Sequence, residues 1–189
     1  MSDALTMSRR DRLRRVVILC RDFARNLAYY RAGQSEEHRL LFDITRPGAN
    51  FWRVANSNCI DICVLEWCKL FADEKAKHHW RKIVTDPATF NQALLTRLEI
   101  DDAAFQEEIN VMRQYRDKFL AHLDSERVMN VPMLDRAKQS VWFYHAHIVN
   151  QEAKDGDLAG LPMELDIGYA MSEVEANSVY RSGIASLTA

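Results

Sequence analysis

Apolar residues recur every three to four positions through almost the whole chain, and only six glycines and four prolines interrupt its 189 residues. That combination indicates an all-α protein. The spacing predicts a first helix over about residues 8–31, ended by Gly33. A loop follows, with Arg46-Pro47-Gly48 as its turn signal. A second helix over about 49–72 is apolar on nearly every face and is expected to be the central element of a bundle. A short helix is predicted over 75–84. Asp86-Pro87 then starts another, with aspartate as cap and proline in the first turn. Asp101 or Asp102 caps a helix that runs to about Leu123, and Val131-Pro132 opens a further one to about Asn150. Past Gly156 and Gly160 the pattern weakens, and Ser172-Glu173-Val174-Glu175 caps at most a last short helix. The reading is one domain, a bundle of about five to six helices over 1–150, with an acidic extension over 151–189.

The bulk numbers exclude several classes. Hydrophobic residues make up 48% and charged residues 28%, which argues against extensive disorder. A net charge of −2 provides no global basic footprint for nucleic acid. Its distribution is uneven. Arg9, Arg10, Arg12, Arg14, Arg15, Arg21, Arg25 and Arg31 crowd the first helix, while seven acids (Glu152, Asp155, Asp157, Glu164, Asp166, Glu173, Glu175) occupy 151–189 against Lys154 and Arg181. Either stretch suits a partner surface, or the two neutralise one another. Cys20, Cys59, Cys63 and Cys68 have neither CxxC nor zinc-finger spacing, so buried free thiols are expected. Val16-Val17-Ile18-Leu19-Cys20 is too short and too flanked by charge for a signal peptide, and the helix near Phe51 is too interrupted by polar residues to span a membrane. The expectation is a soluble, cytoplasmic protein.

One helix breaks the apolar pattern. Wound at about 100° per residue, Phe105, Ile109, Met112, Phe119, Leu120 and Leu123 form one apolar stripe, and Arg116 falls within roughly 20° of its centre. A guanidinium keeps its charge, and burying it unpaired is costly. Arg116 must therefore meet an acid such as Asp61 or Glu66, a subunit interface, or an anionic ligand. His122, six residues on, lies at the stripe's edge. A permanent cation beside the side chain that titrates near neutrality suits phosphodiester chemistry. About 120° separates the two on an ideal helix, so two copies meeting on a two-fold axis would complete one site. Arg113 with Asp117 is an i,i+4 pair, a surface salt bridge on its own terms.

The segment Arg116-Asp117-Lys118-Phe119-Leu120-Ala121-His122-Leu123-Asp124 (RDKFLAHLD) resembles the signature of the HEPN superfamily: arginine, four to six residues, histidine, with a polar residue commonly after the arginine. Its RDK…AH-x-D form is most similar to the AbiU-type branch, named from phage abortive-infection systems. The upstream helix FWRVANSNCIDICVLEWCKLFAD resembles that branch's helix before the motif, and the likeness spans about residues 10–150. The resemblance implies a HEPN-like helical bundle and a homodimer through the 105–123 helix. It implies metal-independent endoribonuclease action that leaves a 2′,3′-cyclic phosphate, in phage defence or as a toxin, with RNA as partner and an antitoxin as a further one. No cofactor or metal is implied. The family roles carry onto Arg116 and His122, and onto Asp117 after the arginine. Some toxins of the superfamily have a tyrosine four residues past the histidine for modification by a nucleotidyltransferase; Glu126 stands here.

Weaker signals have cheaper explanations. His145 and His147 are an i,i+2 pair on different helix faces, poor geometry for a metal. His78-His79-Trp80 suits a wet helix end. Trp142, Phe143 and Tyr144 suit a helix's apolar face better than base stacking. Besides the nuclease, two classes stay open: a non-catalytic HEPN-like module that binds nucleotide, RNA or protein, and a purely structural helical dimer.

Overall fold

The computed structural model describes residues 7–121 and 131–188. Among them are seven α-helices, one 3-10 helix and no strand. The helices are α1 (Arg9–Gly33), α2 (Ala49–Trp67), α3 (Trp80–Ile83), α4 (Pro87–Leu98), α5 (Asp102–Tyr115), α6 (Asp135–His147) and α7 (Leu165–Thr188), with the 3-10 helix over Glu36–Phe42. The all-α expectation holds, while the count exceeds five to six. Start signals behave as local chemistry requires. Ser8, Asp86 and Asp101 each accept a hydrogen bond from the third backbone N–H beyond (3.1, 3.1 and 2.8 Å), satisfying orphan donors of α1, α4 and α5. Gly48 enters α2 at φ +79°, a conformation that favours glycine.

Three helices do not stop where their α-geometry stops. α2, α5 and α6 each widen into a π-helical turn: Cys68–Ala72, Arg116–Ala121 and Ile148–Glu152. The i→i+5 bonds are explicit. Asp73 N–H donates to the Cys68 carbonyl at 2.8 Å, and Ala153 N–H to that of Ile148 at 3.0 Å. Such turns rotate every later side chain away from its ideal-helix position.

The centre of the bundle is α1, not α2. Leu13, Val16, Val17, Cys20, Phe23, Leu27 and Ala28 of α1 are fully or almost fully buried, and α1 packs along both α2 and α7 and touches α6. On α2, Phe51, Val54 and Ile62 face outward, so its apolar surroundings are only partial. Where the sequence suggested at most a short C-terminal helix, α7 runs 24 residues and buries Leu165, Tyr169, Ser172, Ala176 and Tyr180. Two glycines obscured it. Gly183 is needed there because a Cβ would strike the Trp52 ring. No helix among the described residues is long and apolar enough to cross a membrane.

Candidate functional site

α5 presents the motif. Its buried face (Phe105, Ile109, Met112, Tyr115) is covered within the chain. Trp67 and Phe71, from the end of α2 and its π turn, meet Phe105 edge-on, with ring centroids 6.2 Å apart in both pairs. Phe105 and Met112, 4% exposed each, thus need no second chain to cover them. The side chains of Phe119 and Leu120, with Leu123, lie outside the described residues.

Arg116 opens the π turn, so the ideal wheel that placed it mid-stripe ends at its own position. Its side chain is 21% exposed, and its charge is met by carboxylates on both sides. Nε donates to Asp117 Oδ1 at 2.8 Å, and an Nη donates to Asp73 Oδ1 at 2.5 Å. The bond to Asp117, then that to Asp73, hold the guanidinium above its ordinary pKa against the cost of partial burial. An internal acid was one of the open alternatives, but the acid is Asp73 rather than Asp61 or Glu66. Asp61 instead accepts from the Tyr115 hydroxyl at 2.7 Å, while Glu66 accepts from Lys69 at 2.9 Å. Nor does Arg113 pair with Asp117: its guanidinium donates to the Ala72 carbonyl. Two arginines of one helix thus grip the C-terminal end of another, where helix-end carbonyls favour cations. His122, with Asp124 and Glu126, lies outside the described residues, so the Arg116–His122 geometry is not part of the structure.

The remaining nucleophile and metal candidates are quiet. All four cysteines are free. Burial pushes the Cys68 thiol up to about 12, despite nearby Arg116, and raises Cys20 and Cys63 further. Thiols so placed stay protonated and are poor nucleophiles. His79 is a core residue and not a wet helix end: it is 2% exposed, stacks on Trp80, and its Nε2 lies 3.0 Å from the Phe71 carbonyl. His145 is buried on α6, while His147 reaches Glu152 at 3.1 Å. Among the described residues, no three His, Cys, Asp or Glu side chains gather to hold a metal.

The arginines of α1 divide into two sets, which sequence could not separate. Arg9 binds Glu152 (2.5 Å), Arg14 the Asp157 and Ala159 carbonyls, Arg25 its neighbour Asp22 and Arg31 Asp135 (2.5 Å). Mutual neutralisation of the basic helix and acidic extension is therefore real for Arg9. Arg10, Arg12, Arg15 and Arg21 make no side-chain hydrogen bond or ion pair among the described residues. Compared with known proteins, the chain matches no family model, no curated protein and no solved structure.

Proposed function

We propose that this protein is a metal-independent endoribonuclease of HEPN type, acting in the cytoplasm in phage defence or as a toxin. The observation that carries the reading is Arg116, a permanent cation left partly accessible within the RDKFLAHLD motif and on a π-helical turn. Turns of that kind are frequent at functional sites. In this reading His122 takes the proton from the ribose 2′-hydroxyl, whose oxygen attacks the adjacent phosphorus. The bond to the 5′-oxygen breaks, and that oxygen leaves with a proton, giving a 2′,3′-cyclic phosphate. Arg116 stabilises the charge gathering on the phosphoryl oxygens. Asp117 orients it through Nε, leaving the Nη face for phosphate once Asp73 yields. A homodimer through the 105–123 helix rests on the motif's resemblance and on the angle between Arg116 and His122 on a helix, and control by an antitoxin on the resemblance alone.

A second reading has its own observation: Arg113 and Arg116 together clamp the end of α2, as a purely structural pair would. Three measurements separate the readings. Purified protein incubated with mixed RNA in EDTA is expected to leave cyclic-phosphate ends, and neither His122→Ala nor Arg116→Ala should do so. Asp73→Asn, which removes the competing charge, should keep or raise cleavage. If Arg116→Ala lowers the melting temperature while wild type cuts nothing, the clamp reading stands and the nuclease falls. Sedimentation at micromolar concentration tests the dimer separately.

A further inference from the structure

The end of α1, the 3-10 helix and the first turns of α2 border a cavity of about 610 Å³. A second cavity, of about 300 Å³, shares Gln34, Phe42 and Arg53 with it, so the two adjoin along those three side chains. Both volumes suit a ligand cleft, typically about 300–1,000 Å³. α2 supplies one side of the larger cavity. Its Asn50, Arg53 and Ser57 stand at i, i+3 and i+7, on one face of the helix. Phe42, Val54, Ile60 and Tyr30 add apolar wall. Gln34 borders both cavities in a fixed orientation. The Asn56 nitrogen donates to the Tyr29 and Tyr30 carbonyls (3.3 and 3.0 Å), which turns its oxygen toward Gln34, whose Nε2 donates to it at 2.9 Å. The buried Asn56 thus leaves Gln34 Oε1 and its second Nε2 hydrogen for a ligand.

Charge narrows the ligand. Among the described residues no acid lines the larger cavity, and Arg53 is its one charged side chain. In the smaller cavity Glu36 is met by Arg39 at 3.3 Å. The junction of the two cavities therefore carries one uncompensated guanidinium, with the Phe42 ring and the Gln34 amide bordering both sides. A small carboxylate or inorganic phosphate would use the cation and leave the amides and rings idle. A dinucleotide step of a single strand uses every part. Its one phosphodiester charge meets Arg53, its flat bases enter the two cavities against aromatic and apolar side chains, and their edges pair donors and acceptors with Gln34 and Asn50. The groove also lies beside the motif helix. Tyr115, which precedes Arg116, donates to Asp61 at 2.7 Å, and Asp61 follows Ile60 of the wall.

We infer that this paired groove binds a dinucleotide step of single-stranded RNA, with Arg53 on the phosphodiester and Gln34 and Asn50 on the base edges. The choice of RNA rests on the nuclease reading. The groove gives that reading a second contact with the strand, where bases rather than the reacting phosphate are held.

The side-chain amide signals of Gln34 and Asn50, assigned in the full chain through Gln34→Glu and Asn50→Asp, read the groove directly by NMR. On a His122→Ala background in EDTA, the dinucleotide uridylyl-uridine should move both, and ribose 5-phosphate should move neither. Anisotropy with a labelled single-stranded oligouridine reads the strand. Asn50→Ala/Arg53→Gln, both at exposed positions, should weaken binding about tenfold without lowering the melting temperature. Arg53→Gln alone should flatten the salt dependence by about 0.7, the loss of one phosphate contact on a single strand. Amides that stay still with the dinucleotide overturn the groove. So does an equal response to ribose 5-phosphate, which would make it a phosphate site that ignores bases, or to a short acetylated peptide acid, which would make it a peptide site. Oligouridine binding that falls with Arg116→Ala and not with the Asn50/Arg53 pair overturns it as well, and leaves the nuclease reading standing. Amides that respond while the wild-type chain cuts no RNA keep the groove and sink the nuclease.

Discussion

A methyl group on Gly33 would land inside the Asn56 carboxamide and beside the Tyr180 hydroxyl. That amide joins three helices. Its nitrogen donates to the Tyr29 and Tyr30 carbonyls (3.3 and 3.0 Å) and lies 3.1 Å from the Tyr180 hydroxyl, while its oxygen accepts from Gln34 at 2.9 Å. Gly33→Ala is expected to cost about 2–3 kcal/mol through displaced packing and lost bonds. A thermal melt checks this, and adding Asn56→Ala should cost less than the sum of the two singles. The sequence marked Gly33 as a helix stop; its reason for being glycine is the approach of α2 and α7. Arg116 shows the same division. Its need for a counter-charge was legible from the wheel, because a guanidinium cannot shed its proton. Which acid supplied it was not, since Asp73 is 43 positions away and reaches Arg116 only because α5 lies across the end of α2.

At the scale of elements, the π turn Ile148–Glu152 delivers Glu152 into a closed network. Its oxygens accept from Thr85 N–H and Oγ1 (both 2.7 Å), Arg9 (2.5 Å) and His147 (3.1 Å). The carboxylate is 4% exposed, yet these bonds, those of Thr85 foremost, hold its pKa below the ordinary value against burial. A depressed carboxyl adds stability above its unfolded pKa and loses it as pH falls through the folded one. Glu152→Gln is therefore expected to cost about 2 kcal/mol near neutrality, since it trades charge-assisted bonds for neutral ones. It should also flatten the stability profile below about pH 4.5. Urea unfolding at pH 7 and pH 3.5 measures both. No sequence signal pointed to Glu152, because its partners come from the start of α1 and the residues before α4. Helix starts, by contrast, were legible at Asp86 and Asp101, since a cap is satisfied within three residues.

Across the whole molecule, acid should loosen the bundle well before its carboxylates protonate. His145 lies on α6 with Nε2 buried and unpartnered, and burial, helped by Arg21, pulls it down to about 4. Its unfolded pKa near 6.5 means that the unfolded chain binds the proton first, so stability is unaffected above that value and falls between about pH 6.5 and 4. The loss at the lower end is about 3 kcal/mol. Chemical denaturation at pH 7 and pH 5 should show a decline that is reduced in His145→Leu; identical slopes would place the proton elsewhere. His79, also lowered by burial, acts with the same sign. In α7, the buried Tyr180 and Ala176 close a small core with Leu41 and Ala32. A chain ending at residue 150 or 164 is expected to lose cooperative unfolding, as followed by circular dichroism and limited proteolysis. A sharp, native-like transition would make the bundle complete without α7.

Sequence alone determined the helical class, the caps at Asp86 and Asp101, the free state of the cysteines and the demand of Arg116 for a counter-charge, because each follows from periods of three to four residues or from one side chain's chemistry. Tertiary structure alone decided that α1 is central, that the α5 stripe is covered by Trp67 and Phe71, and that Asp73 answers Arg116. It also decided which of the α1 arginines find partners among the described residues. Those outcomes depend on which distant segments meet, and on π turns that change the angular register by one residue, a shift that a wheel drawn at fixed pitch cannot contain.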